Sequence, residues 1–155
     1  LVDQPGVYIG AQAEREGTIR RALRARLAIA QSRVPWCAVF VRRAFGVGGA
    51  MYAPLDRAVV RYAWPSANWG SVPIAGGVQA AHRREIEEAE DPEARLAALE
   101  SHYRALESPF RTAERFGVEE VIDPRETRER LCEWVRDTAA VLSEQLGSRD
   151  RGYRV

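Results

Sequence analysis

The sequence predicts an α/β fold, a mainly parallel sheet with helices packed on it and a helical C-terminal half. Two observations carry this. Short apolar segments at residues 1–2, 36–41 and 58–63 alternate with segments of helical periodicity, the pattern of β–α–β units. Beyond residue 78 the chain turns to long helical stretches, two of them opened by Asp-Pro.

In chain order, residues 1–2 read as the tail of a strand, ended by Asp3-Gln4-Pro5-Gly6, where Pro-Gly signals a turn. Residues 7–16 read as a loop. Over residues 17–32, Ile19, Leu23, Leu27 and Ala30 recur at helical spacing with arginines opposite. Pro35 opens a strand at 36–41. After the glycine cluster, residues 50–54 supply about one helical turn. A second apolar strand at 58–63 is stopped by Trp64-Pro65. Residues 78–90 form one helix. Asp91-Pro92-Glu93 restarts the chain as a helix through Leu106, with Asp as N-cap and Pro at the first helical position. Asp123-Pro124-Arg125-Glu126 repeats the device, with Glu126 placed to close a capping box. That helix runs to about Leu146 and ends at Gly147, leaving a polar, Arg-rich tail at 148–155.

At 155 residues the chain is about one domain. Its net charge of +1 gives no global argument for nucleic acid or a membrane surface. Every basic residue of the Lys/Arg class is Arg, which removes lysine Schiff-base and lysine general-base chemistry. The two cysteines, Cys37 and Cys132, form no CxxC motif and read as buried free thiols of a reducing cytosol. No apolar run approaches the ~18–20 residues needed to span a bilayer, and no signal peptide is visible. The first residue is Leu1, at what reads as a strand end, so an N-terminus cut from a longer chain is the expectation.

The chemistry-bearing feature is Phe45-Gly46-Val47-Gly48-Gly49. A β segment runs into glycines, which lack Cβ and let backbone N–H groups approach a ligand oxygen. A helix starting just beyond adds its positive end. Such a turn can form an oxyanion hole, which stabilises charge developing on a carbonyl oxygen. An ordinary glycine-rich strand–helix turn is the plainer alternative. No nucleophile–base pair accompanies it. His82 and His102 sit in charged helices without ligand spacing. Asp3 is either a site residue or a turn-former before Pro-Gly. Trp64 and Trp69 read as packing residues, with a pocket wall as the alternative. Residues 83–107 read as a solvated helix pair laced by i,i+4 ion pairs, with a subunit contact as the sharper alternative.

Six segments in order carry a resemblance to a known family. They are Val2-Asp3-Gln4-Pro5-Gly6 with Gly10, Glu14 and Gly17; Ala44-Phe45-Gly46-Val47-Gly48; Ala63-Trp64-Pro65-Ser66-Ala67; Arg84-Glu85-Ile86; Asp91-Pro92-Glu93-Ala94; and Ile122-Asp123-Pro124-Arg125-Glu126-Thr127-Arg128. Together they resemble the carboxyltransferase β subunits of biotin-dependent acyl-CoA carboxylases (acetyl-, propionyl- and methylcrotonyl-CoA). The resemblance implies a crotonase/ClpP-like β-β-α superhelix, with residues 1–147 as the later part of the C-terminal, biotin-side domain. It implies a composite site completed by the N-terminal domain of a neighbouring subunit, in a cytoplasmic homo-oligomer. Its partners would be a biotin carboxylase and a biotin carrier protein, its cofactor carboxybiotin on that carrier, its substrate an acyl-CoA, with no metal. By matching motif positions, the N–H groups of Val47 and Gly48 would hold the biotin ureido oxygen. Gly46, Phe45, Tyr8 and Gly10 would surround the biotin. The sequence departs from the family pattern at Trp69-Gly70-Ser71-Val72-Pro73, where many members have an apolar run ending in Met-Gly. It also lacks an acidic residue often found near Ile74-Ala75-Gly76-Gly77. Both departures leave the acyl substrate open. A biotin-independent decarboxylase subunit, a hydratase with paired acids beside the turn, and a non-catalytic assembly module are the alternatives.

Overall fold

The computed structural model of the chain describes residues 1–52 and 59–145. Five strands form one sheet: β1 (Val2–Gln4), β2 (Trp36–Phe45), β3 (Val59–Ala63), β4 (Asn68–Gly70) and β5 (Glu120–Val121). All pairings are parallel, in the order β1-β2-β3-β5, with β4 also on β2. β1 lies along β2 from Phe40 to Ala44. β3 pairs with residues 36–40 of β2 and β4 with residues 43–45, so the two follow one another along β2's other edge. The central strand therefore ends, at Phe45, flanked on both sides. That rigid end is where the glycine turn begins.

β2 is longer than the apolar run predicts, extending through Arg42 and Arg43 to Phe45. The reason lies on the neighbouring strand. Asp3 accepts from the Arg42 guanidinium at 2.5 Å, and from both the backbone N–H and the side chain of Arg43 at 3.2 and 2.9 Å. These hydrogen bonds, Arg43's foremost, hold the Asp3 carboxyl well below the usual carboxylate range. Asp3 is thus a clamp between β1 and β2. A carboxyl depressed on folding contributes stability that is fully present above its ordinary range and is lost as pH falls from there through the depressed folded value. Asp3→Asn is expected to unfold at the same pH as wild type or at a slightly higher one on acid titration, and to lower the thermal midpoint more at pH 7 than at pH 2. An equal loss at both pH values would show that the charge on Asp3 contributes nothing.

The helices are α1 (Ala11–Glu16), α2 (Thr18–Gln31), α3 (Gly46–Ala50), α4 (Ile74–Ala81), α5 (Arg83–Glu87), α6 (Pro92–Leu106), α7 (Pro109–Glu114) and α8 (Thr127–Gln145). α1 corrects the loop expected at 7–16. Six residues between glycines, with only Ala13 buried, show no apolar periodicity. Gly17, at φ 67°, ends α1 and opens α2, matching its expected role as a helix start. The helix expected at 50–54 is instead the glycine cluster itself, five residues long; residues 53 and 54 lie outside the described residues. The single helix expected at 78–90 breaks at His82 into α4 and α5. The His82 ring contacts Glu85 at 2.8 Å and the Tyr103 hydroxyl at 2.9 Å, which accounts for it as a structural joint. β4, α7 and β5 carry no signal in the sequence reading.

Both Asp-Pro starts form. Asp91 accepts from the Ala94 N–H at 3.0 Å, the expected N-cap. Asp123 instead accepts from the Arg125 N–H at 2.9 Å and from its guanidinium, which lowers its pKa to about 2. A 3₁₀ turn over Pro124–Glu126 precedes α8, so the capping box expected through Glu126 is replaced by this Asp123–Arg125 contact. The expected ion pairs along 83–107 form: Arg83–Glu87, Arg84–Glu88 and Glu100–Arg104, with Arg95–Glu85 joining α5 to α6. The strand start at Ala58, the end of α8 and the tail at 148–155 lie outside the described residues.

One core cluster sits on the sheet, built from Val2, Ala38, Phe40, Ala44, Ala63, Ala67 and Val118. A second joins α4, α5 and α6 through Val78, Ile86 and Leu99. Trp64 donates its indole N–H to the Thr127 hydroxyl at 2.9 Å, and Trp69 packs on Phe40 with ring centroids 5.0 Å apart. Cys37 is half-buried, and burial pushes its thiol up to about 11. Cys132 is exposed on α8, which corrects its reading as a buried thiol. No helix among the described residues is long and apolar enough to cross a membrane.

Candidate active site

The end of β2 and the start of α3 make the site. Phe45 is extended (φ −109°, ψ 141°) and buried. Gly46 then takes φ 57°, a left-handed conformation that glycine adopts without the penalty a side chain brings. This reversal turns the chain from strand into helix within one residue. Val47 and Gly48 follow in the first helical turn, where N–H groups have no acceptor within the helix. The donors are thus individual peptide groups. Five residues give little macrodipole, so the extra positive helix end expected beyond the cluster is a minor contribution here.

The glycines are needed for closeness. A Cβ on Gly49 would lie 2.4 Å from the Ala44 carbonyl carbon and 2.7 Å from its oxygen. A Cβ on Gly48 would lie 2.9 Å from Gln4 Cγ and 3.4 Å from the Gly6 carbonyl carbon. α3 is therefore pressed onto the ends of β1 and β2 by the absence of side chains. On the other side, a Cβ on Gly70 would lie 2.8 Å from the Phe45 ring, so β4 is pressed against the same turn.

A cavity of about 610 Å³ opens in front of the turn. Its walls come from the Pro5–Val7 segment, from Phe45, Gly46 and Val47, and from Ser71, Val72, Pro73 and the start of α4. No titratable side chain is among its described lining residues. α4 contributes a second irregular turn, since Ala75 and Gly76 (φ 74°) are not helical and regular helix begins only beyond them. The segment where the sequence departs from the family pattern is thus the wall facing the glycine turn.

Of the residues singled out in the sequence, Phe45, Gly46 and Val47 line this cavity. Gly48 is buried against Gln4 and Gly6 and is not among the residues that line it. Tyr8 is 67% exposed and does not line it, and Gly10 is the N-cap of α1 with open space around it. The wall formed by Ser71–Gly77 was missed as lining, because only the fold brings it opposite Gly46. No group of three or more His, Cys, Asp or Glu poised to hold a metal occurs among the described residues.

The sequence matches the Carboxyl transferase domain family over residues 1–148. It is 36% identical over 136 residues to the methylmalonyl-CoA carboxyltransferase 12S subunit of Propionibacterium freudenreichii subsp. shermanii, covering 85% of this chain and 26% of that protein. It is 36% identical over 155 residues to the propionyl-CoA carboxylase carboxyltransferase subunit of Haloferax mediterranei, covering 99% of this chain and 30% of that one. The crystal structure of the transcarboxylase 12S hexamer with methylmalonyl-coenzyme A and methylmalonic acid bound superimposes with a TM-score of 0.79 at 31% identity, over 99% of this chain and 29% of that one. The chain thus spans between 26% and 30% of the length of these relatives. Its parallel sheet with C-terminal helices is their crotonase-related fold. The chain belongs to the carboxyl transferase domain family, as a domain of the β-subunit type found in biotin-dependent acyl-CoA carboxylases.

Proposed function

We propose that residues 1–147 form the biotin-side portion of a composite site that transfers a carboxyl group from carboxybiotin to an acyl-CoA. The observation that carries this reading is the cavity in front of Gly46–Val47, which sets the start of α3 against apolar walls, with no titratable side chain among its described lining residues. A bicyclic urea fits such a lining. It has apolar edges for Val72 and Pro73 and one carbonyl oxygen for the peptide N–H groups. When bound, carboxybiotin supplies the carboxyl group and, once that has left, a basic ring nitrogen.

The chain's own residues then do three things. The N–H groups of Val47 and Gly48 would hold the ureido oxygen. Phe45, buried beneath Gly70, fixes the turn's position. Val72, Pro73 and the first residues of α4 exclude water from the reacting face. A hydratase would need paired acids beside the turn, and the described lining residues include none; Asp56 lies outside the described residues.

The site is completed by the N-terminal carboxyltransferase domain of a neighbouring subunit, in a cytoplasmic oligomer served by a biotin carboxylase and a biotin carrier protein. Half a composite site cannot hold both reactants in attack geometry. The 155-residue chain alone is therefore expected to bind free biotin too weakly to saturate, whereas the complete subunit, given carboxylated carrier protein, carboxylates propionyl-CoA. Transfer of ¹⁴C-carboxyl to propionyl-CoA is the measurement. Avidin-insensitive release of CO₂ from methylmalonyl-CoA by the complete subunit would favour the second reading, a biotin-independent decarboxylase subunit. The decarboxylase part of that reading, not its independence of biotin, is favoured by a 31% identity over 137 residues, 86% of this chain and 26% of that protein, to the methylmalonyl-CoA decarboxylase subunit alpha of Propionigenium modestum. Neither activity on any of a panel of acyl-CoA thioesters, propionyl-CoA among them, would leave a non-catalytic assembly module.

A further inference from the structure

Behind the glycine turn, away from the cavity just described, Asn68 on β4 meets Glu107 at the C-terminus of α6. The Asn68 side-chain N–H₂ is 3.4 Å from Glu107 Oε2. The other atom of each group, Asn68 Oδ1 and Glu107 Oε1, is shut off from solvent and has no hydrogen-bond partner. Two buried acceptors on groups already in contact, both unpaired, are costly, because each has lost its water without replacement. The backbones are joined as well, since the Trp69 N–H donates to the Glu107 carbonyl at 3.3 Å.

We propose that Glu107 carries its proton in the folded protein and forms a cyclic acid–amide pair with Asn68, which pins the end of α6 to β4. One proton resolves both unpaired atoms. A neutral carboxyl has one O–H donor and one carbonyl acceptor, and a primary amide has the complementary set. With the proton on Oε1, the acid O–H donates to Asn68 Oδ1 while the amide N–H donates to Oε2. An ionised carboxylate accepts only, and would face the amide oxygen with like partial charge.

The surroundings agree. Arg104, one turn earlier on α6, is engaged by Glu100 at 2.9 Å. Arg43 on β2 is engaged by Asp3 at 2.9 Å. Tyr103 is hydrogen-bonded to His82. These are the charged and titratable groups that share the two flanking cavities with Glu107, and none supplies a counter-charge hydrogen-bonded to its carboxylate. Burial raises the Glu107 pKa, with the Asn68 contact and Arg104 opposing it more weakly.

The pin acts on the site through β4. Asn68–Gly70 pairs with Arg43–Phe45, and Gly70 packs on the Phe45 ring immediately before Gly46. Glu107 is thus a positioning residue for the turn, and this last step rests on the carboxyltransferase reading. The acid–amide pair itself does not.

The test compares wild type with Glu107→Gln, whose neutral amide imitates the protonated acid. A carboxyl whose pKa is raised on folding stabilises the fold below its unfolded value, 4.5, and loses that contribution as pH rises through the folded value. Below pH 4.5 the difference in thermal midpoint between the two proteins is expected to be constant. As pH rises it shifts in favour of Glu107→Gln by at least about 2 °C, then levels off. At pH 5.5 the infrared carbonyl band of protonated carboxyl is expected to be weaker in Glu107→Gln than in wild type, and close to wild type in Glu100→Gln. A midpoint difference independent of pH, or one that shifts towards wild type, would overturn the proposal, as would a band unchanged in Glu107→Gln. Neither measurement uses activity, so failure of the pair is distinct from failure of the functional reading.

Discussion

Gly48→Pro in the complete subunit is expected to lower carboxyl transfer by about 10²–10³-fold, the loss that follows removal of one oxyanion donor, or about 2.7–4 kcal/mol of transition-state stabilisation. Proline removes the N–H and leaves a helix start tolerable, because the first turn does not use that N–H internally. It also adds a side chain where a Cβ would lie 2.9 Å from Gln4 Cγ. Gly48→Ala separates the two effects, since it brings the same Cβ and keeps the N–H. The Ala variant is expected to retain most of the transfer rate, with the Gln4 side chain shifting to make room. Steady-state transfer rates, with thermal midpoints measured in parallel, check this. Equal rates in the two variants would remove the Gly48 N–H from the mechanism.

Gly49→Ala tests the fold of the same turn. In an exposed helix interior this change stabilises by up to about 1 kcal/mol, because Ala is the better helix former. Here the opposite sign is expected. The added methyl meets the Ala44 backbone at 2.4–2.7 Å, and backbone in a paired strand does not rotate away as a side chain does. Overpacking of this kind costs typically 1–3 kcal/mol, occasionally more. A loss near 3 kcal/mol lowers the midpoint of a domain this size by roughly 6–12 °C. A thermal melt decides it. A raised or unchanged midpoint would mean that α3 is not seated on the end of β2 as described.

The two glycines therefore divide the work of one turn. Gly49 lets the helix approach the strand, and in the proposed site Gly48 would present a donor at the place that approach creates. Gly46 makes the reversal between them and the strand at φ 57°. The Asn68–Glu107 pair would then hold the adjoining strand from behind, so the donors are placed before substrate arrives, as electrostatic stabilisation requires.

The sequence by itself determined the elements whose signals are local. The apolar run at 36–41, the periodicity of α2 and the Asp-Pro start before α6 each lie within a few residues and appear where the sequence predicts, and Asp123-Pro124 opens a 3₁₀ turn that leads into α8. The close backbone approach of the glycine cluster at 46–49 was legible for the same reason, since glycines after a strand mark such an approach. Tertiary structure decided the rest. β2 runs on through two arginines because Asp3, 39 residues earlier than Arg42, pairs with both. β4 and β5 are three and two residues long and exist as ladders only because β2 and β3 supply their partners. His82 lies where the helical run breaks, and Tyr103 on another helix holds its ring. The cavity wall at Ser71–Gly77 and the buried Asn68–Glu107 contact join residues that no periodicity relates. Hydrogen bonds and close contacts between segments distant in sequence have no local signature, so those features follow only from the folded arrangement.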